Sequence, residues 1–235
     1  MPNLPLPPAQ DFPRVWRATP DERVAALVEH YESNPGWGYS PAKAIAPKVV
    51  SGDLSVAAAT AGLRRIQHDV SRKQNIEVIE ALHGIPFARG ARCFKPPVTF
   101  LELGRQARLR VRADIAFARK GVPHLVLLQV RKFNALSTPF ERNAWASLVR
   151  RALLIGDFRN AELSIWDLRA EAEGVLRSAT EIRLGPWTEL PEAELNQLIN
   201  DVLDARQALM AKGYVRPARP KRTPKDGDPA HPPLL

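Results

Sequence analysis

Asp114 and the triplet Gln129-Val130-Arg131 stand on either side of a turn, with Arg108, Arg110, Arg112 and Lys132 close by in the chain. The cations Arg108, Arg110 and Arg112 and the acid Asp114 alternate with Leu109, Val111, Ala113, Ile115 and Phe117, which is the period-two pattern of a half-buried strand. Lys120-Gly121-Val122-Pro123 reads as a turn and residues 125–132 as a second strand. A turn centred between Gly121 and Val122 predicts Asp114 directly across from Gln129, with Arg131 on the same face. An acid, an amide and a guanidinium would then converge beside three more arginines. That set can hold a phosphate, and it contains groups that could assist in cutting a phosphodiester.

Charge points to the same stretch. From Arg105 to Arg151 there are eleven Lys/Arg and two acids, Asp114 and Glu141. The whole chain has 34 basic and 25 acidic residues, so the rest carries 23 of each and is neutral. A surplus confined to consecutive elements predicts a polyanionic partner, with a solvated basic face as the plainer alternative. Arg150 and Arg151 would extend that surface.

The elements that must position these groups are legible from caps and periodicity. Thr19-Pro20-Asp21-Glu22 is a capping box opening a helix that carries Val24, Leu27, Val28 and Tyr31. Ser40-Pro41 opens a second, short helix, expected to be interrupted at Pro47. After Ser51-Gly52-Asp53 a long helix is predicted from about residue 55 to His83, stopped by Gly84. A strand over 98–103 precedes the basic hairpin. Thr138-Pro139-Phe140-Glu141 is a second capping box, for a helix bearing Trp145, Leu148 and Val149. Strands over 162–168 and 175–184 and a last helix over about 192–212 follow. The 235 residues, 45% of them hydrophobic, suffice for one sizeable core. Six of the first twenty residues and six of the last twenty are proline, twelve of the 22, and residues 1–18 and 214–235 read as extended or disordered tails, the second of them basic. Residues 19–54 form an N-terminal helical extension, and 55–213 form the core with its C-terminal helix.

The order from residue 55 onward, helix, three strands, helix, strand, resembles the α-β-β-β-α-β core of the PD-(D/E)XK (restriction-endonuclease-like) nuclease superfamily. The predicted fold class is accordingly α/β. In that family the second strand supplies an Asp and the third a Glu-x-Lys. Asp114 stands at the first position, and Gln129-Val130-Arg131 takes the place of the second. The resemblance implies a nucleic-acid-binding protein, with DNA favoured over RNA, and a metal-dependent nuclease using Mg²⁺ as one reading. Asp114, Gln129 and Arg131 would be its catalytic residues, and Arg108, Arg110, Arg112 and Lys132 its nucleic-acid contacts. The metal would lie between Asp114, Gln129 and Glu77, an acid expected near the inner stripe of the long helix marked by Leu63, Ile66 and Val70. Glu80 and Glu102 are weaker substitutes for Glu77. A stripe turned toward Val78, Ile79 and Leu82 would leave Glu77 partly exposed instead. Gln129 is neutral and Arg131 cannot give up a proton, so the set holds a nucleic acid better than it runs a two-metal hydrolysis. The alternative is a catalytically inactive pseudo-nuclease serving as a binding or assembly module. A lesser alternative is a helix-turn-helix regulator over residues 40–70, reading through Arg64 and Arg65.

Other readings find little support. His68, His83, His124 and Cys93 lack metal-ligand spacing, so zinc is not expected. The single Cys93 excludes an internal disulfide and reads as an ordinary apolar position. Trp37 and Tyr39 read as a loop's anchors on the core. No nucleotide-loop or serine-hydrolase motif is present. With no secretory pattern and no long apolar run, the chain is expected in the cytoplasm and off the membrane.

Overall fold

Local capping chemistry starts the chain's first long helix. The computed structural model describes residues 4–33, 38–83, 85, 91–131, 136, 138–170, 175–185 and 188–217. The Thr19 hydroxyl accepts the Glu22 N–H while the Glu22 carboxylate accepts the Thr19 N–H, opening α1 (Pro20–Glu32). Helix α2 (Ser40–Ser51) runs through Pro47 without the expected interruption and buries Ala42, Ala46 and Val50. Gly52 then ends it in the left-handed conformation that glycine adopts without strain.

The single long helix expected from residue 55 to His83 is two helices, α3 (Val56–Leu63) and α4 (Asp69–His83). The break has a local cause. Ser55 caps α3, and the ring Nδ1 of His68 accepts the Ser71 N–H at 3.2 Å, capping α4 afresh. The buried face of α4 is Ser71, Asn75, Val78, Ile79, Ala81 and Leu82, and Val70 is 49% exposed. The inner stripe therefore runs through Val78, Ile79 and Leu82, not through Val70 and Glu77.

Among the described residues, seven strands follow in two sheets: β1 (Arg92–Phe94), β2 (Val98–Gly104), β3 (Ala107–Arg112), β4 (Ile115–Arg119), β5 (Val122–Gln129), β6 (Glu162–Asp167) and β7 (Thr180–Leu184). A five-stranded sheet has the order β1-β4-β5-β6-β7, and β2 with β3 forms a separate two-stranded ribbon. Helix α5 (Pro139–Leu153), opened by the Thr138–Glu141 capping box, is the crossover that lets β6 lie parallel to β5. Helix α6 (Glu192–Ala211) closes the unit. The class is α/β, as expected, with the ribbon inserted between the first two strands of the sheet. The expected strand over residues 108–117 is thus two strands in different sheets.

Both faces of the sheet are covered. Ile115, Phe117, Val126, Leu128, Trp166 and Leu168 pack on α2, α3 and α4. Ala116, Leu125, Leu127, Leu163 and Ile165 pack with α1, α5, α6 and the N-terminal segment. Burial on both sides explains why β5 reads as the unbroken apolar run Leu125-Val126-Leu127-Leu128. The proline-rich N-terminal segment lies on the core, with Leu4, Phe12 and Val15 buried. The Tyr31 hydroxyl donates to the Pro5 carbonyl at 2.7 Å, and Arg206 Nε donates to the Leu4 carbonyl at 2.7 Å. Among the described residues, no helix is long and apolar enough to cross a membrane.

Cys93 sits half-buried on β1, where burial pushes its thiol up to about 11. Only the thiolate is nucleophilic. Alkylation by iodoacetamide near pH 7.5 is therefore expected to run roughly a hundredfold slower than for a free cysteine. A rate matching an exposed thiol would contradict this placement.

Candidate functional site

Antiparallel pairing of β4 with β5 sets Ile115 opposite Val126, so Asp114 falls two residues short of Gln129 along the ladder. Asp114 is buried. Its Oδ2 accepts the Leu128 N–H at 2.8 Å and lies 3.0 Å from Lys43 Nζ on α2. Its Oδ1 is 3.7 Å from Arg112 Nη2. Gln129 looks elsewhere: its side-chain carbonyl accepts from the Gln10 amide of the N-terminal segment. Arg131 pairs with Asp11 of that segment at 2.6 Å. The partner of Asp114 comes from the helical layer on one face of the sheet, and those of Gln129 and Arg131 from the layer on the other. The expected convergence of Asp114, Gln129 and Arg131 on one cleft does not occur.

Glu77 is held apart from both. Its carboxylate meets Arg177 Nε at 3.3 Å. The Arg177 side chain is 1% exposed and fans its donors to the Val130 carbonyl at 2.7 Å, the Leu168 carbonyl at 2.8 Å, Tyr39 Oη at 3.1 Å and Gln74. This clasp ties α4 and the Tyr39 segment to the ends of β5 and β6.

These partners bear on whether the three groups could share a metal. Asp114, Glu77 and Gln129 would have to hold a divalent cation together, yet each is already engaged by a different protein donor in a different place. Among the described residues, no group of three His, Cys, Asp or Glu side chains could hold a metal ion. The donor set does not fit Mg²⁺, because hard cations need several oxygens gathered at one point. Glu80 lines an open surface cleft of about 770 Å³ with Glu77, Asp69, Arg64, Arg72 and Lys73, and Glu102 pairs with Arg108 on the ribbon.

What the basic stretch does build is the outer face of the ribbon. The inner side chains Leu101, Leu109 and Val111 are buried, and the ribbon packs on α5. Alternation then turns Val98, Phe100 and Glu102 outward on β2 and Arg108, Arg110 and Arg112 outward on β3. Register pairs them as Val98 with Arg112, Phe100 with Arg110, and Glu102 with Arg108. Phe100 is 57% exposed and Val98 47%. Arg108, Arg110 and Arg112 are therefore exposed on the ribbon, with two apolar side chains set among them. Lys132 lies outside the described residues.

Sequence reasoning missed Lys43, Arg177, Gln10 and Asp11, for which no local signal exists. It also passed over Phe100, although the alternation of Val98, Phe100 and Glu102 in the predicted strand could have exposed it. Arg64 follows α3 as its C-cap and Arg65 comes next, in the connection to α4 and not on a helix, so the regulator reading loses its recognition helix.

A family model described as the sliding clamp-binding bacterial toxin SocB matches residues 11–208. The DNA replication inhibitor toxin SocB of Caulobacter vibrioides (strain NA1000 / CB15N) is 22% identical over 196 residues, covering 78% of this chain and 83% of that protein. No solved structure matches the chain. The resemblance to PD-(D/E)XK nucleases is thereby overturned, and with it the nuclease, pseudo-nuclease and regulator readings. The matched family is described by a protein partner, the sliding clamp, where nucleic acid was expected. The physical reason for the error is that an Asp beside a strand reads the same in sequence whether it holds a cation for chemistry or, as Asp114 does just before β4, a lysine in a structural ion pair.

Proposed function

Because the chain belongs to the SocB family of sliding clamp-binding bacterial toxins, we propose that it binds the bacterial sliding clamp and inhibits DNA replication in the cytoplasm. One observation carries this reading: the family match runs from Asp11 to residue 208, from the segment that covers Arg131 through nearly all of α6. That span takes in both packed layers and the ribbon. The similarity to a replication inhibitor toxin over most of both chains supports the same outcome. A protein that occupies the clamp competes with the polymerase that depends on it, so inhibition needs no chemistry from this chain. The paired state of Asp114 and Glu77 suits that role.

The test is direct. The full chain and a purified bacterial sliding clamp, each at about 10 µM, are expected to co-elute on size exclusion, as a complex with micromolar or tighter affinity must. Clamp-dependent DNA synthesis should fall on adding the chain and recover when excess clamp is supplied. Separate elution together with undiminished synthesis would refute the proposal.

A further inference from the structure

We infer that the outer face of the β2–β3 ribbon is the surface that docks the partner, and that the partner presents an apolar pocket flanked by carboxylates. The inference rests on the clamp-binding reading and names the surface that reading leaves open.

Three observations carry it. First, the ribbon is held in place from behind and at its tip. Its inner face is buried on α5, and at the turn Arg105 pairs with Asp204 on α6. Arg105 and Gln106 both adopt positive φ there, 50° and 58°, in a tight turn beside a register shift between Glu102 and Gly104. A surface already fixed before binding loses little entropy when it docks.

Second, the face has the make-up of a binding hot spot. Val98 and Phe100, two residues apart, project from the same side of β2, and both are large and exposed. Arg110 stands directly across from Phe100. Aromatic and arginine side chains at the centre of a patch are the residues whose truncation costs most in protein interfaces.

Third, the charges on the face are unequally committed. Arg108 is neutralised by Glu102 at 2.7 Å, and Arg112 leans toward buried Asp114 at 3.7 Å. Arg110 has no ion pair among the described residues. One free guanidinium beside two apolar groups suits a carboxylate-rimmed pocket. It is a poor match for a duplex, where salt-sensitive binding rests on roughly six to ten phosphate contacts.

The experiment uses the full chain and the purified clamp. Phe100→Ala is expected to weaken binding about 30-fold, the scale of a hot-spot truncation. Arg110→Glu is expected to slow association about tenfold at low ionic strength, by placing like charge against the partner. Leu176→Ala, at another exposed apolar position, should leave affinity unchanged. Both ribbon residues are exposed, so unfolding midpoints should stay at the wild-type value. With the wild-type chain, adding clamp should slow amide exchange across residues 98–112. If the wild-type chain binds the clamp while both ribbon variants bind equally well, the docking surface is wrong and the clamp reading stands. Protection confined to other residues would likewise overturn the docking surface alone. Protection of the ribbon by duplex DNA or by a second copy of the chain, with none from the clamp, overturns the inference. A wild-type chain that ignores the clamp overturns both.

Discussion

Arg177→Met will lower the unfolding free energy by about 3–5 kcal/mol, the cost of breaking a buried ion pair from one side. The guanidinium is buried and serves the Val130 and Leu168 carbonyls, Tyr39, Gln74 and Glu77. Methionine fills much of the volume but donates nothing. Two main-chain carbonyls at the ends of neighbouring strands then lose a partner, and the largely buried Glu77 carboxylate loses its cation. Lysine will not restore the loss, because one ammonium cannot reach acceptors spread around a planar fork. Since whole domains are stable by only about 5–15 kcal/mol, this change removes a large share. Urea unfolding of the full chain reads it as a lowered midpoint at unchanged slope. A loss below about 1 kcal/mol would show that the clasp is dispensable.

The second large effect belongs to Asp114. Asp114→Ala is expected to cost about 3 kcal/mol, for two separable reasons. It strands the mostly buried Lys43 ammonium 3.0 Å from where its counter-charge was, and it leaves the Leu128 N–H without an acceptor. Adding Lys43→Met should recover part of this, because the stranded charge disappears while the unmet N–H remains. A double-mutant cycle measures that coupling, expected between about 0.5 and 3 kcal/mol for residues in contact. Strict additivity would mean that the pair contributes nothing. The same variants bear on function. If clamp binding depends on the ribbon, Asp114→Ala should reduce activity only in proportion to the unfolded fraction.

The two capping boxes were legible because their bonds span three residues and need nothing from the rest of the fold. Thr19 with Glu22 and Thr138 with Glu141 start helices wherever they stand. The apolar run of β5 was legible for a similar reason, since periodicity reports burial directly. The element order was not: the long helix is α3 and α4, β1 was not foreseen, and the strand expected over 108–117 is β3 and β4. Register was not. Sliding β4 against β5 by two residues keeps every side chain on its own face, so alternation could not tell an Asp114 opposite Gln129 from the pairing the fold adopts. Nor could alternation show that the chain leaves one sheet for another between Arg112 and Ile115, since both sheets require an apolar face in the same phase.

Composition and local pattern, then, were enough to establish an α/β chain with a cationic surplus on one stretch, since both properties are sums over neighbours. Tertiary packing alone decided which charges are buried and paired and which stand exposed. Lys43 reaches Asp114 across 71 positions, Arg177 reaches Glu77 across 100, and Gln10 reaches Gln129 across 119. Contacts so distant in the chain leave no periodic trace. A basic stretch attracts phosphates and carboxylates alike, and what the folded chain adds to the ribbon's arginines is the exposed pair Phe100 and Val98 on the same face.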